Sequence, residues 1–308
     1  MKKEFFKIKS NCDGLELDVA LFIPKEIKGI VQLSHGMVEH KEYYYDFMKY
    51  LVDNGFACII NDHRGHGKSV KSERDLGYVY DETSDYLVED LHQITKYIKE
   101  KYPNKKIILF GHSMGSLIVR KYLKKYDYEI DKLIVCGSPS INKMSKIGLI
   151  LSKIIKLIKG DRHRSNILNN LALSNDRTNS WLSNNKEYIN KYSHDKLCGY
   201  VFTTNGFINL TNLMVDVYSR KNWILKNKNL PIFFIAGKED IIIKNEKMWM
   251  KSINFLTSIG YKNIKYKLYD KMKHAILFEE DNEVVLRDII DFIKWYFYIF
   301  IDYWDILC

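Results

Sequence analysis

Three residues with the chemistry of a nucleophile, a base and an acid stand in this chain in suggestive surroundings. Ser113 lies in Gly111-His-Ser-Met-Gly115, Asp240 ends Gly237-Lys-Glu-Asp, and His274 ends Asp270-Lys-Met-Lys-His. A serine hydroxyl attacks a carbonyl only when an imidazole takes its proton. The imidazole in turn needs an acid that fixes its tautomer and stabilises its charged form. The chemistry open to such a set is acyl transfer through a covalent serine ester, which requires no cofactor or metal. Each residue also has a plainer reading. Ser113 can be a small residue in a glycine-rich bend, Asp240 a surface turn or helix cap with Glu239 beside it, and His274 an ordinary loop histidine.

The elements around these residues decide between the readings. Residues 106–110, KIILF, have the length and apolar character of a buried strand, and MGSLIVRKYLKKY from Met114 has helical spacing. Ser113 therefore falls on a strand-to-helix turn. There the backbone is strained and strand and helix pass so closely that side chains at 111 and 115 would clash. LPIFFIAG precedes Asp240 and IKYKLYD precedes His274, so all three residues follow the carboxyl ends of strands, where open α/β sheets bind ligands. Their chain order, serine, acid, histidine, is the order this architecture uses.

A second requirement is a pair of N–H groups for the oxyanion, each worth about 3 kcal/mol in the transition state. The backbone N–H of Met114 at the helix start is one candidate. The other is that of Met37, in the loop QLSHGMVEH that ends an earlier strand. His35, Glu39 and His40 are expected to brace that loop rather than react. No metal site is expected, because His35, His40, His63 and His66 match no zinc spacing and the cysteines form no C-x-x-C pair.

Along the chain, a two-stranded opening (EFFKIKS and LELDVALFI) gives way to alternating strands and helices. KGIVQLSHG, FACIIND and DKLIVCGSP are further strands. YYYDFMKYLVDNG, SDYLVEDLHQITKYIKEKY, NEKMWMKSINFLTS and EVVLRDIIDFIKWYF are further helices. Strands apolar along their whole length predict a mostly parallel sheet covered on both faces. The interval from about 140 to 228 is too long for a bare loop and contains helical patterns. The expected organisation is a core of residues 1–139 and 229–308 with an inserted helical cap at 140–228.

The chain has 308 residues, 46% of them hydrophobic and 28% charged, the profile of a folded globular protein. MKKEFFKIKSNCDG lacks the apolar run of a secretory signal, no apolar stretch reaches spanning length, and five scattered cysteines argue against a disulfide framework. A cytoplasmic setting follows as the expectation. The net charge is +10, and residues 141–229 carry all of it, with 15 Lys/Arg against 5 Asp/Glu. That concentration favours an anionic surface or substrate near one part of the molecule, unless it is background composition. Nucleic acid is not expected, since no reader helix or aromatic-basic motif accompanies the charge.

The motifs together carry a family resemblance. His35-Gly36 with Glu39-His40, the stretch NDHRGHGKS, the Gly111–Gly115 elbow, Asp240 and His274 resemble the α/β-hydrolase superfamily. Within it they are similar to the monoacylglycerol lipase and lysophospholipase L2-like group, the serine aminopeptidase S33-type or Hydrolase_4 family. The resemblance implies the α/β-hydrolase fold, a lid over an acyl-binding cleft, and hydrolysis of carboxylic esters such as monoacylglycerols or lysophospholipids. It gives Asp62, Arg64, Gly65, His66, Gly67 and Ser69 a place in the loop framework beside the site, and LCGYVFTTNGF (197–207) one in the lid. A broad carboxylesterase or thioesterase is the alternative within enzymes, and an inactive α/β-hydrolase serving as a binding module is the alternative outside them.

Two segments bear on partners. In residues 145–159 Ile147, Leu151, Ile154, Ile155 and Ile158 gather on one side of a helix, and Lys146, Lys153, Lys156 and Lys159 lie largely on the other. Such a helix suits peripheral contact with an anionic membrane at its inner face, and the competing expectation is packing of the apolar side on the protein's own body. The aromatic stretch KWYFYIFIDYWDILC can extend the last helix and cover an apolar patch or another subunit, and Asp302 and Asp305 oppose its spanning a membrane. The sequence assigns no oligomeric state.

Overall fold

A computed structural model describes residues 1–142, 144–172 and 178–294. The aromatic C-terminal stretch, beyond Lys294, lies outside the described residues. One sheet of eight strands organises the chain, in the order β1-β2-β4-β3-β5-β6-β7-β8. Strands β1 (Lys2–Lys9) and β2 (Glu16–Ile23) form the predicted hairpin, and β2 joins β4 (Phe56–Asn61) antiparallel. From β4 onward all pairing is parallel, through β3 (Gly29–Ser34), β5 (Ile107–His112), β6 (Lys132–Cys136), β7 (Ile232–Gly237) and β8 (Ile264–Tyr269).

Successive side chains of a strand point to opposite faces, and here both faces are covered. Ala57, Ile59, Ile107, Leu109, Leu133 and Val135 enter one core, with the helices α2 (Asp85–Lys101), α3 (Met114–Tyr126) and α8 (Glu246–Ile259). Cys58, Ile60, Ile108, Phe110, Ile134 and Cys136 enter the other, with α1 (Tyr45–Asp53) and α9 (Glu283–Lys294). The apolar runs read as buried strands owe their character to this double covering.

Between β6 and β7 the described residues make four helices, α4 (Met144–Lys159), α5 (Asn166–Ala172), α6 (Lys186–His194) and α7 (Thr204–Asp216). Helix α7 opens inside LCGYVFTTNGF, where the Thr203 hydroxyl accepts from the Gly206 N–H, the bond of an N-cap. Its Phe207, Leu210 and Leu213 join the first core. Helix α4 departs from the usual amphipathic arrangement. It seats a small-residue edge, Ser145 and Ser152 with Gly148 beside Thr211, against α7. Ile147, Ile150, Ile154, Leu157 and Ile158 remain 47–87% exposed. Of the predicted apolar side, Leu151 and Ile155 pack against the first core, as expected, whereas Ile147, Ile154 and Ile158 stay outside, because small residues let the two helices approach closely along one edge. Among the described residues no helix is long and apolar enough to cross a membrane.

Candidate active site

Ser113 is the single residue between β5 and α3, and its backbone is in the left-handed half of conformational space, at φ 52° and ψ −119°. A residue with a Cβ holds that conformation only when its surroundings enforce it. Its N–H donates to the Cys136 carbonyl at 3.0 Å, and α3 begins at the next residue. The flanking glycines have steric causes. A Cβ on Gly115 would lie 2.0 Å from the Ser34 carbonyl oxygen, and one on Gly111 2.5 Å from that of Gly115.

His274 and Asp240 follow β8 and β7 and converge on this turn. The Ser113 Oγ lies 2.8 Å from Nε2 of His274, and Nδ1 of the same ring lies 2.9 Å from Asp240 Oδ2. The second carboxylate oxygen accepts the Ile242 N–H at 2.8 Å. With Nδ1–H donating to the carboxylate, Nε2 is left as an acceptor for the serine hydroxyl. His274 and Asp240 are buried, whereas Glu239 is exposed, so the acid beside the ring is Asp240. The imidazole is held between two other rings, Trp181 at 5.3 Å and His112 at 4.9 Å between centroids. Nε2–H of His112 also donates to the His274 carbonyl at 3.2 Å. No spacing signal marks Trp181 or Tyr44, which bonds His112 at 2.8 Å. His112 shows only as the neighbour of Ser113.

The loop after β3 is built from its own polar side chains. Gly36 N–H donates to Glu39 Oε1 at 2.5 Å, and Tyr44 donates to the same oxygen at 2.6 Å. His35 accepts the His63 N–H at Nε2 and donates from Nδ1 to the Gly36 carbonyl, which makes it a neutral imidazole with its proton on Nδ1. Val38 adopts φ 51°, rare for a β-branched residue. Its carbonyl accepts from the Gly199 N–H at 2.9 Å and the Tyr192 hydroxyl at 3.2 Å. His40 meets Asp195 at 2.9 Å. Behind the loop, Asp62 accepts from the backbone and ammonium of Lys41 and the N–H of Lys68, while Arg64 pairs with Asp90 at 2.7 Å and Asp13 at 3.1 Å. Gly36, Met37 and Glu39 reach the cavity beside Ser113. His35, His40, Asp62 and Arg64 are not part of its wall.

Two buried groups make this framework acid-sensitive. Burial outweighs the attraction of Glu39 and lowers His35 from 6.5 to about 4. Burial alone would raise Glu39, but hydrogen bonds and charge from His112, with His35 and Tyr44, lower it from 4.5 to about 2. Both folded values are depressed, so both groups stabilise the fold above their unfolded values and lose that contribution as pH falls. For His35 the window runs from 6.5 down to about 4, and for Glu39 from 4.5 down to about 2. The urea midpoint is therefore expected to fall steadily between about pH 7 and pH 4. A midpoint constant over that range would contradict burial of a neutral His35.

Ser113 and His274 stand in the wall of a cavity of about 360 Å³. The wall opposite comes from the insertion, with Leu151, Leu168, Phe207, Leu210 and Met214. Met144, Ile147, Leu171 and Ile241 line the cavity and are also 46–64% exposed, so an apolar path joins the surface to the serine. Met37 and Met114 border the same space. Met114 opens α3, whose first four N–H groups have no acceptor within the helix.

A mostly parallel sheet flanked by helices, with a serine on the β5–α3 turn and helices inserted after β6, defines an α/β-hydrolase. Over residues 25–281 the chain matches Hydrolase_4, the family described as serine aminopeptidase, S33, and it belongs to that family. A monoacylglycerol lipase of Mycolicibacterium smegmatis is 21% identical over 269 residues, 86% of this chain and 88% of that protein. A probable lysophospholipase L2 of Haemophilus influenzae is 25% identical over 263 residues, 81% of this chain and 76% of that one. Among solved structures, a thermostable carboxyl esterase of Bacillus coagulans superposes with a TM-score of 0.83 at 24% identity, over 96% of this chain and 98% of its own. A soluble variant of the Saccharomyces cerevisiae monoglyceride lipase gives 0.73 at 20% identity, over 96% and 95%.

Proposed function

We propose that this hydrolase cleaves carboxylic esters of lipid-like substrates, monoacylglycerols or lysophospholipids, through an acyl-enzyme. The observation that carries the reading is the Ser113–His274–Asp240 array in the wall of an apolar cavity. In this account His274 takes the Ser113 proton as Oγ attacks the ester carbonyl, and Asp240 holds the imidazolium that forms. The backbone N–H groups of Met37 and Met114 stabilise the oxyanion. His274 then protonates the departing alcohol, and water, activated by the same ring, releases the acid and restores the serine. Residues 140–228 act as the cap of a core formed by 1–139 and 229–308, and they supply the acyl-binding wall. The names of the relatives, monoacylglycerol lipase and probable lysophospholipase L2, support this substrate class.

A panel of glycerol, glycerophosphoryl and p-nitrophenyl esters of increasing acyl length, with matching thioesters, tests the proposal. Turnover is expected to be best with long-chain glycerol or glycerophosphoryl esters. Turnover confined to short soluble esters or to thioesters would favour the broad carboxylesterase or thioesterase reading, which the likeness to the Bacillus coagulans esterase keeps in view.

The same reading includes peripheral contact with an anionic membrane. Exposed apolar side chains of α4 and α5 surround the cavity mouth, and the insertion carries the basic excess. Lys153 is exposed, and Lys156 pairs with Glu82. Each lysine near an anionic surface contributes about 1 kcal/mol. Reversing Lys153 and Lys156 to glutamate is thus expected to weaken co-sedimentation with anionic vesicles by more than about tenfold. Equal binding of the wild type to neutral and anionic vesicles would contradict the contact.

A further inference from the structure

We propose that His40, Asp195 and Cys198 form a binding site for a divalent ion of the zinc class, which clips the chain after α6 to the loop carrying Met37. The three ligand atoms, an imidazole nitrogen, a carboxylate oxygen and a thiol sulfur, lie within 4.8 Å of one another. Small side-chain movements would bring such atoms to the corners of a tetrahedron around one ion, whose bonds to them are about 2.0–2.3 Å long. Hard ions such as calcium and magnesium take oxygen ligands, so a mixed N, O and S set selects zinc or its cobalt analogue.

Local structure presents the two ligands of the insertion together. Cys198 N–H donates to the Asp195 carbonyl at 3.0 Å, closing an Asp-x-x-Cys turn. Leu197 N–H holds Asp195 Oδ1 at 2.8 Å and leaves Oδ2 facing His40. Tyr43 donates to that same Oδ2 at 3.3 Å. The Asp195 side chain is 25% exposed and gives the ion an entrance, while His40 and Cys198 are buried. Burial and the neighbouring Asp195 carboxylate push the Cys198 thiol up, with Lys191 opposing them, so an ion binds here by displacing the thiol proton. With the thiol proton displaced, the Asp195 carboxylate and the Cys198 sulfur would together balance the two charges of a divalent ion.

None of the three ligands belongs to the cavity wall, so the ion would serve structure and not the acyl-transfer step. What it would hold is the backbone at Val38. That residue sits two positions before His40 at φ 51°, and its carbonyl is bound by Gly199, the residue after Cys198. A strained backbone persists only where its surroundings over-determine it, and an ion at this site would add a constraint on each side of it. The site itself stands independently of the proposed reaction, because its test reads ion binding.

The test is a Co²⁺ titration of the full, reduced, EDTA-treated chain. The expected result is a sulfur-to-cobalt charge-transfer band with the visible bands of a tetrahedral ion, saturating at one ion per chain and displaced by Zn²⁺. Zn²⁺ alone should raise Tm. Cys198→Ser should lose the charge-transfer band, and Cys12→Ser should keep it. Asp195→Asn and His40→Gln should weaken binding by at least the roughly 10- to 100-fold seen when metal-site partners are removed. Absence of the band from the wild type would overturn the proposal, as would a band of equal strength in Cys198→Ser. Should Cys198→Ser fail to fold, unchanged cobalt affinity in Asp195→Asn and His40→Gln would overturn it equally.

Discussion

Replacing Ser113 by alanine is expected to lower kcat for ester hydrolysis by about 10⁴- to 10⁶-fold while leaving the fold intact. The large effect follows from the role assigned to the hydroxyl, whose oxygen stands 2.8 Å from His274 Nε2. Alanine accepts the same left-handed backbone about as well as serine, and the hydrogen bond from residue 113 N–H to the Cys136 carbonyl does not use the side chain. Tm should therefore change little, and substrate should still bind in the cavity. The rate left above water would come from the oxyanion donors and from binding alone. Steady-state hydrolysis of a p-nitrophenyl ester beside a thermal melt checks both halves. Activity within a few-fold of the wild type would remove Ser113 from the chemistry.

Asp240→Asn is expected to cost about 10⁴-fold in kcat, although it changes a single oxygen to an amide nitrogen. The local hydrogen bonds dictate how that amide sits. Ile242 N–H needs an acceptor at the Oδ1 position, 2.8 Å away, so the remaining oxygen stays there and the NH₂ takes the place of Oδ2. That NH₂ then donates to His274 Nδ1, which forces the ring proton onto Nε2. Nε2–H now points at Ser113 and can no longer accept its proton. The imidazolium also loses the charge beside it. Kinetics of the purified variant, with a crystal structure to confirm unchanged positions, decide the point. A loss below about tenfold would mean that Asp240 neither sets the tautomer nor stabilises the charge.

The core was legible in the sequence because its signals are local. MGSLIVRKYLKKY coincides with α3, residue for residue, since a strained turn fixes the start and the apolar spacing runs the full length. The strands showed as continuous apolar runs because both their faces are covered. Ser113, Asp240 and His274 were readable from their places after strand ends, which topology brings together although 161 positions separate the serine from the histidine.

The insertion was less legible for physical reasons. The residues of α4 predict an apolar face but not its direction, and Ser145, Gly148 and Ser152 make the close contact with α7, so that Leu151 and Ile155 face the core while Ile147, Ile154 and Ile158 face outward. Helices α5 and α6 are only seven and nine residues long, so neither offers a long run of spacing to read. Trp181 meets His274 through folding of the insertion alone. His40 and Asp195 stand 155 positions apart and Asp-x-x-Cys is not a familiar ligand spacing, so the site proposed above carries no signal in the sequence.

The central claim is that Ser113 carries the acyl group, and trapping that intermediate tests it most directly. The protein should be quenched in acid during turnover of a slowly deacylated p-nitrophenyl ester, then digested and mapped by mass spectrometry. One acyl group per chain, located on Ser113 and absent from Asp240→Asn over the same interval, is the predicted result. An acyl group on another residue, or rapid turnover in Ser113→Ala, would contradict the account.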